Sequence, residues 1–282
     1  MRPGRTATAV LIAALTAVAV PAAPAQGAPS PEERTAAGAA VLPPVDAPVD
    51  YQLGGAYTVP PGVRLVTRDV TDRPAPGVYS ICYVNAFQTQ PGYRTWWLTR
   101  HPDLVLRGSS GRPVVDPGWP DEMLLDTRTA AKRAGIAAIV SRWVSRCADK
   151  GFRAVEPDNL DSWTRSGGRL TRAQNAALAA EIVRLGHSRG LAVAQKNDVG
   201  MLALRASTGF DFAVVEECQA FGECGRFTSV YGRHVVEIEY TDNGGWAGFR
   251  RACSARGRTI SIVLRDRDLL PRGRTGYRFA TC

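Results

Sequence analysis

The sequence predicts an α/β fold, a (β/α)8 TIM barrel that forms a single domain over residues 51–282. Eight short runs rich in β-branched and aromatic residues recur along the chain, with helical or loop segments between them. Each run ends in polar or charged residues, and a barrel gathers the carboxyl ends of its strands around one mouth. A doubly wound open sheet is the alternative, but it would spread those ends along an edge.

The predicted elements follow in chain order. The strands are expected at residues 63–67, 78–84, 123–125, 152–155, 191–194, 210–215, 234–238 and 259–264. Apolar residues recur every three or four positions from Ile136 to Cys147, which predicts a helix that ends at Gly151. Thr171 and Gln174 form a capping box that predicts the start of the next helix. The connection between the first two predicted strands is too short for a full helix.

The amino terminus has the pattern of a secretory signal peptide over residues 1–28. Basic residues precede a short apolar run, and the run is followed by Ala23-x-Ala25, which resembles a cleavage site. Residues 29–50 are rich in Pro and Ala without periodicity, so we expect a disordered lead-in. These features predict a secreted, extracellular protein with no membrane association after cleavage, and we expect a monomer.

The charge is basic, with 35 Lys and Arg against 26 Asp and Glu, a formal net charge of +9. Loss of Arg2 and Arg5 with the signal peptide would leave about +7. Such a surface favours anionic cell-wall polymers as neighbours. The arginines are scattered, and no basic run with interleaved aromatics occurs, so we expect no nucleic-acid partner.

Six cysteines in an exported chain predict three disulfides, although spacing alone leaves about 15 connectivities open. Cys218 and Cys224 bracket a short loop that contains glycine and are the pair we expect to be bonded. Zinc ligation is the rival interpretation, but no Cys-x-x-Cys motif and no paired histidines accompany them.

The chemistry is expected where the predicted strands end. The polar side chains at these ends are Asp69, Asp126, Glu156, Asp158, Lys196, Asn197, Asp198, Glu216, Glu217, Glu239 and Asp242, and nearby aromatics include Tyr83, Trp163 and Tyr240. Carboxylates beside aromatic platforms suit glycoside hydrolysis, in which one carboxyl group protonates the leaving oxygen and another is nucleophile or base.

The sequence gives less support to two other kinds of site built from the same strand-end residues. The three histidines are expected away from the mouth, which disfavours a Ser-His-Asp arrangement. A magnesium or calcium site could use the same acids. Lys196 argues against it, because an ammonium group competes with a bound cation, so we expect neither a metal nor another cofactor.

Several motifs resemble those of the endo-α-1,4-polygalactosaminidase family, glycoside hydrolase family 114. The matching pieces are Tyr51-Gln-Leu-Gly-Gly55, Ile81-Cys-Tyr83, Leu124-Leu-Asp-Thr-Arg128, Gly151-Phe-Arg-Ala-Val-Glu-Pro-Asp-Asn159, Gln195-Lys-Asn-Asp198, Phe210-Asp-Phe-Ala-Val-Val-Glu-Glu-Cys218, Gly222-Glu-Cys224 and Val236-Glu-Ile-Glu-Tyr-Thr241. The resemblance implies a TIM barrel in which Asp158 and Glu216 are the catalytic pair. It also implies substrate contacts for Gln52 and Asn159, beside the strand-end residues.

One motif departs from the family pattern, which usually has Asn-Glu-Gln-Cys where this chain has Val215-Glu216-Glu217-Cys218. The extra carboxylate leaves two candidates for the acid/base. Side chains alternate along a strand, so only one of the two should face the mouth, and we take Glu216.

The resemblance implies a secreted, endo-acting glycoside hydrolase that cleaves a galactosamine-containing polysaccharide. Two alternatives keep the same acidic mouth. One is a non-catalytic carbohydrate-binding protein of the cell envelope, and the other is a metal-dependent hydrolase.

Overall fold

The fold is known from a computed structural model that describes residues 40–282. The predicted signal peptide lies outside these residues, as does most of the predicted lead-in. The strands are β1 Val49–Gln52, β2 Leu65–Asp69, β3 Tyr79–Asn85, β4 Ala154–Asp158, β5 Ala192–Lys196, β6 Phe212–Glu216, β7 Val235–Tyr240, β8 Ser261–Arg265 and β9 Phe279–Thr281. Strands β1 to β8 pair in parallel in chain order, and β9 pairs antiparallel with β8. The predicted (β/α)8 barrel fold is confirmed.

The helices surround the barrel unevenly. They are α1 Arg94–Arg100, α2 Ala130–Lys150, α3 Arg172–Ser188, α4 Arg205–Thr208, α5 Cys218–Phe221, α6 Cys224–Tyr231 and α7 Gly245–Arg256. Short loops without a helix connect β1 to β2 and β2 to β3. No helix in the described part of the chain is both long and apolar enough to cross a bilayer.

The predicted end of α2 and the predicted start of α3 are confirmed. Thr129 caps the start of α2, and Gly151 ends it in the left-handed conformation with φ of 91°. Thr171 and Gln174 form the predicted capping box at the start of α3. Both helices pack apolar faces against the outside of the sheet.

The strand prediction was wrong at one place and incomplete at another. Residues 123–125 form isolated antiparallel bridges inside the long β3–α2 connection instead of a barrel strand. The first barrel strand is β1, which the sequence analysis had placed partly in the lead-in. The sequence pattern did not indicate this strand, because every second residue in it is polar. Asp50 and Gln52 are fully buried, and they tolerate burial because Arg265 and Arg68 donate hydrogen bonds to them.

Two apolar layers make up most of the core. Inside the barrel, residues such as Tyr51, Ile81, Phe212 and Ile238 fill the space between the strands. A larger cluster lies between the sheet and the helices and includes Ile136, Ile182 and Phe227. The barrel interior is therefore packed with side chains, as expected for eight strands.

The seam between β1 and β8 is closed by side chains and by the last strand. Asp50 accepts a hydrogen bond of 3.0 Å from Arg265, and both side chains are fully buried. The Ala47 amide donates to the Ser261 hydroxyl, and the Val49 amide donates to the Thr281 hydroxyl. The two ends of the sheet are thus joined across more than two hundred residues of sequence.

Three disulfides use all six cysteines, as predicted. They join Cys82 to Cys147, Cys218 to Cys224 and Cys253 to Cys282. The first ties β3 to α2, the second closes the loop after β6, and the third ties α7 to the residue after β9. The expected pairing of Cys218 with Cys224 is confirmed.

Candidate active site

The last residues of β4 to β7 bring four functional side chains to the mouth of the barrel. Asp158, Lys196, Glu216 and Tyr240 are the final residues of β4, β5, β6 and β7. All four line one cleft of about 650 Å³. The carboxyl ends of parallel strands meet at the same rim, which is why neighbouring strand ends supply a single site.

Lys196 lies at the centre of this group. Its Nζ is 3.1 Å from Glu156 Oε1, 3.2 Å from Glu216 Oε2 and 3.5 Å from Asp158 Oδ1. Burial opposes the charge on Lys196, but the three carboxylates outweigh it, so its pKa lies well above the ordinary value. The ammonium is therefore charged and occupies the space where a metal ion between these acids would lie.

Asp158 is held by donors on both oxygens and still reaches solvent. The Tyr83 hydroxyl donates to Oδ2 at 2.7 Å, and the Asn159 amide donates to Oδ1 at 2.7 Å. Its side chain is 18% exposed, whereas that of Lys196 is 2% exposed. Asp158 is thus accessible from the cleft, while Lys196 lies buried beneath it.

Glu216 is held as a carboxylate by three neighbouring groups. Asn197 donates to Oε2 at 3.0 Å and accepts from the Glu216 amide, while the Tyr240 hydroxyl donates to Oε1. Burial alone would raise the pKa of Glu216, but Lys196, Tyr240 and Asn197 favour the charged form and lower it. Neighbouring carboxylates alone would raise the pKa of Glu216, and the central lysine reverses that effect.

Glu156 lies beneath the site and not in the cleft. Its side chain is fully buried, and it accepts a hydrogen bond of 2.7 Å from the Tyr51 hydroxyl. Burial raises its pKa, although Lys196 and Tyr51 oppose the shift. The Lys196 ammonium also donates to the Tyr51 hydroxyl at 3.0 Å. Tyr51 and Glu156 therefore hold the ammonium beneath the two partly exposed carboxylates, Asp158 and Glu216.

Backbone strain is concentrated at the same rim. Asn159, Asn197, Asp198 and Glu217 follow β4, β5 and β6 and have φ between 43° and 66°. Glutamate rarely adopts this left-handed conformation, whereas Asn and Asp tolerate it better. At Glu217 it breaks the strand alternation directly after Glu216, and the carboxylate of Glu217 forms a two-point ion pair with Arg267 instead.

The other predicted site residues divide into those that line a cleft and those that do not. Asp69, Tyr83, Asn159 and Asn197 line the same cleft as Asp158 and Glu216. Asp198 lies outside this cleft and accepts from the Trp163 indole at 3.0 Å. The structure brings Glu216, and not Glu217, into the cleft that Asp158 lines.

Three predicted site residues lie away from the cleft, each in a buried polar network. Gln52 bonds to Asp50 and Arg68 on the outer side of β1. Asp126 is paired with Arg128 and Lys132 near the start of α2, and these groups lower its pKa against the effect of burial.

Glu239 is the third, and it faces outward from β7. It accepts from the Gln219 amide, and burial raises its pKa to about 7.

The sequence analysis missed cleft residues on the long β3–α2 connection, on the β4–α3 connection and beyond β8. They are Asp116, Trp119, Glu122, Asp161, Arg165, Arg267 and Asp268. Burial raises the pKa of Glu122 to about 7, although Asn85 donates to it. The length of the β3–α2 connection was the available signal, because loops of this size at a barrel mouth commonly carry function.

Few donors outside the mouth could share a metal ion. Within residues 40–282, Cys218, Cys224 and Glu237 are the one group of such donors that lies close enough together. Both sulfur atoms are in a disulfide and are not available as thiolate ligands.

Comparison with known proteins identifies relatives of this barrel. The model of glycoside-hydrolase family GH114 matches residues 30–282. The crystal structure of Aspergillus fumigatus Ega3 in complex with galactosamine superposes with a TM-score of 0.70 at 19% identity, covering 86% of this chain and 98% of that chain. The glycoside hydrolase domain of PelA from Pseudomonas aeruginosa superposes with a TM-score of 0.57 at 14% identity, covering 81% and 98%. No curated protein matches the chain significantly in sequence. At these identities the two structures establish a shared fold.

Proposed function

The chain belongs to glycoside-hydrolase family GH114 and is a glycoside hydrolase, and on that basis we propose that it is secreted and cleaves internal α-1,4 linkages of a galactosamine-rich polysaccharide. The substrate class is supported by the galactosamine bound to the structurally similar Ega3. An open cleft lined by several carboxylates also suits a polymer that carries ammonium groups.

The catalytic pair in this proposal is Asp158 and Glu216. Asp158 attacks the anomeric carbon and forms a glycosyl ester as the bond to the leaving oxygen breaks. Glu216 gives its proton to that oxygen, and it then takes a proton from the water that hydrolyses the ester. Lys196, Tyr83 and Asn159 hold the Asp158 carboxylate in place, and Tyr240 and Asn197 hold Glu216.

The observation that carries this mechanism is the shared contact of both acids with Lys196. Because Asp158 Oδ1 and Glu216 Oε2 lie 3.5 and 3.2 Å from one nitrogen, they are at most about 7 Å apart. Retaining glycosidases separate the two carboxyl groups by about 5–5.5 Å and inverting ones by about 6.5–9.5 Å. This upper bound includes the retaining separation and overlaps the inverting range only at its lower edge. The proposal therefore takes the retaining mechanism, with Asp158 as nucleophile and Glu216 as acid/base.

The charged Lys196 supports a mechanism without a metal. It neutralises part of the charge of Glu156, Asp158 and Glu216 and would repel a cation placed between them. A chelator should therefore leave the hydrolytic rate unchanged, whereas a metal-dependent hydrolase would lose activity.

The test is a reducing-end assay on galactosamine, N-acetylgalactosamine and glucosamine polymers, with proton NMR of the first product. We expect release of reducing ends from the galactosamine polymer, with the α-anomer appearing first. An initial β-anomer would contradict retention but not hydrolysis. Binding without release of reducing ends would favour the non-catalytic carbohydrate-binding alternative.

A further inference from the structure

A second cleft of about 730 Å³ adjoins the cleft that contains Asp158 and Lys196, which we call the catalytic cleft. The two clefts share Asp161, Asn197 and Glu216, whereas Asp158 lines the catalytic cleft alone. The volume of the second cleft lies within the range of about 300–1,000 Å³ that is usual for ligand sites. Glu216 therefore lies where the two clefts meet.

The acid/base of a glycosidase lies on the side of the leaving group, because it must protonate the oxygen that departs. The nucleophile lies instead beneath the sugar that becomes attached. A cleft that contains Glu216 but not Asp158 thus extends from the leaving-group side of the scissile bond. In a polysaccharide this side is the one that leads to the reducing end.

An exposed phenylalanine stands in this second cleft. Phe221 is 64% exposed and is the last residue of the short helix α5. Single exposed apolar residues are ordinary on protein surfaces. This one differs, because it lines a cleft that also contains Glu216.

The loop that carries Phe221 is fixed at several points. The Cys218–Cys224 disulfide closes it, and the Glu223 amide donates to the Cys218 carbonyl at 2.8 Å. The Gln219 amide is bonded to Glu239, so the base of α5 is also anchored to β7. A fixed loop holds the aromatic ring in the cleft at a low entropic cost for binding.

The remaining lining suits a cationic sugar. Five carboxylates and two guanidinium groups line the second cleft. Of the two guanidinium groups, that of Arg172 stacks on the Trp163 ring at 4.6 Å. Asp198 and Glu223 are carboxylates of this cleft that lie outside the catalytic one.

We propose that the second cleft binds the sugars on the reducing-end side of the scissile bond, and that Phe221 is the stacking platform for one of them. The inference rests on the proposed function, since it takes Glu216 as the acid/base. An aromatic ring stacks on the apolar face of a pyranose, and the surrounding carboxylates pair with its ammonium group.

The test is the cleavage pattern of galactosamine oligomers labelled at the reducing end. The Phe221→Ala variant is compared with wild type and with Trp246→Ala, which removes another exposed aromatic that lines neither cleft. We expect Phe221→Ala to lower kcat/KM about three- to tenfold for bonds that leave several sugars on the labelled fragment. Cleavage should then move toward the labelled end. Trp246→Ala and Phe221→Tyr should both keep the wild-type pattern.

Other outcomes would contradict either the role of Phe221 or the proposed function itself. An unchanged pattern in Phe221→Ala, or a shift away from the labelled end, would overturn the inference alone. An equal fall in rate at every bond would also overturn it, since that indicates a structural effect. Failure of the wild type to cleave any oligomer would overturn the proposed function, and the inference with it.

Discussion

Tyr240 donates a hydrogen bond to Glu216 across the ends of two neighbouring strands, β7 and β6. The same tyrosine ring carries the guanidinium of Arg267 on its face, 4.0 Å from the ring centre. Tyr240 therefore positions the Glu216 carboxylate, and Arg267 in turn holds the ring of Tyr240 in place. A phenol that donates to a carboxylate stabilises the charged form, which makes it one of the groups that lower the pKa of Glu216.

The first prediction follows from that bond. A general acid must be protonated, so a lowered pKa of Glu216 confines high activity to the acidic side of neutrality. Tyr240→Phe keeps the ring but removes the donor, which raises the pKa of Glu216. The high-pH limb of the kcat/KM profile should then move to higher pH, with a fall of less than about tenfold at the acidic plateau.

Tyr57→Phe is the matched control for this profile, because Tyr57 donates to Asp50 away from the cleft. It should leave the high-pH limb where the wild type has it. If the limb stays in place in Tyr240→Phe as well, Glu216 is not the group that must be protonated.

The second prediction concerns the catalytic pair. Asp158→Asn and Glu216→Gln each remove a titratable group while keeping the side-chain shape. Each should lower kcat by about 10²–10⁴-fold or more. Both side chains reach solvent, so thermal unfolding should shift by no more than about 3 °C.

Glu217→Gln is the neighbouring control for this pair. It weakens the ion pair with Arg267 and leaves the contacts of Glu216 intact, so it should keep kcat within about tenfold of wild type. If Glu217→Gln is inactive and Glu216→Gln is active, then Glu217, and not Glu216, is the acid/base.

The third prediction is a pH dependence of stability that arises from Glu239. Burial raises its pKa to about 7 in the folded protein, against an ordinary value of 4.5. The folded state therefore holds the proton to higher pH than the unfolded state does. Between these two values the free energy of unfolding should fall as pH rises.

Glu239→Gln keeps an acceptor for the Gln219 amide and removes the titration. Denaturant unfolding at about pH 5 and about pH 8 should show a smaller difference for this variant than for wild type. Glu122→Gln should reduce the difference independently, because the pKa of Glu122 is also raised to about 7 by burial. An identical pH slope in wild type and Glu239→Gln would contradict the prediction.

The fourth prediction ranks the three disulfides by the chain that each one closes. The sequence separations are 65 for Cys82–Cys147, 29 for Cys253–Cys282 and 6 for Cys218–Cys224. In the chain-entropy account, loss of these bonds costs about 4.3, 3.6 and 2.2 kcal/mol respectively. Paired Cys→Ser variants measured by reversible denaturant unfolding should follow this order. Peptide mapping that recovers a free thiol from the folded wild type would contradict the pairing itself.

The sequence predicts the barrel well because its later strands are apolar runs with clear ends. Strand β1 is different, since half of its residues are buried polar groups whose partners, Arg265 and Arg68, lie elsewhere in the chain. Residues 123–125 have the composition of a strand, but their partners lie within their own loop. Local patterns cannot distinguish these two cases, because what differs is the distant partner.

The site was predictable in its residue types and less so in its electrostatics. Their position at strand ends and the resemblance of their motifs predicted Asp158, Lys196 and Glu216 as site residues. The position of Lys196 between the acids depends on Tyr51 and Glu156, which fix the ammonium from below. That arrangement lowers the pKa of Glu216, although counting carboxylates suggests the opposite.

The closed seam has a consequence for how this barrel assembles. Its first strand is held in place by Arg265, Ser261 and Thr281, which come near the opposite end of the chain. Contacts of such large sequence separation have a high loop-closure cost and form late. The β1 segment therefore stays unpaired on one side until β8 and β9 are in place. Folding of this enzyme should finish with closure of the ring, so a shortened chain without β8 and β9 would leave both edges of the sheet open to other molecules.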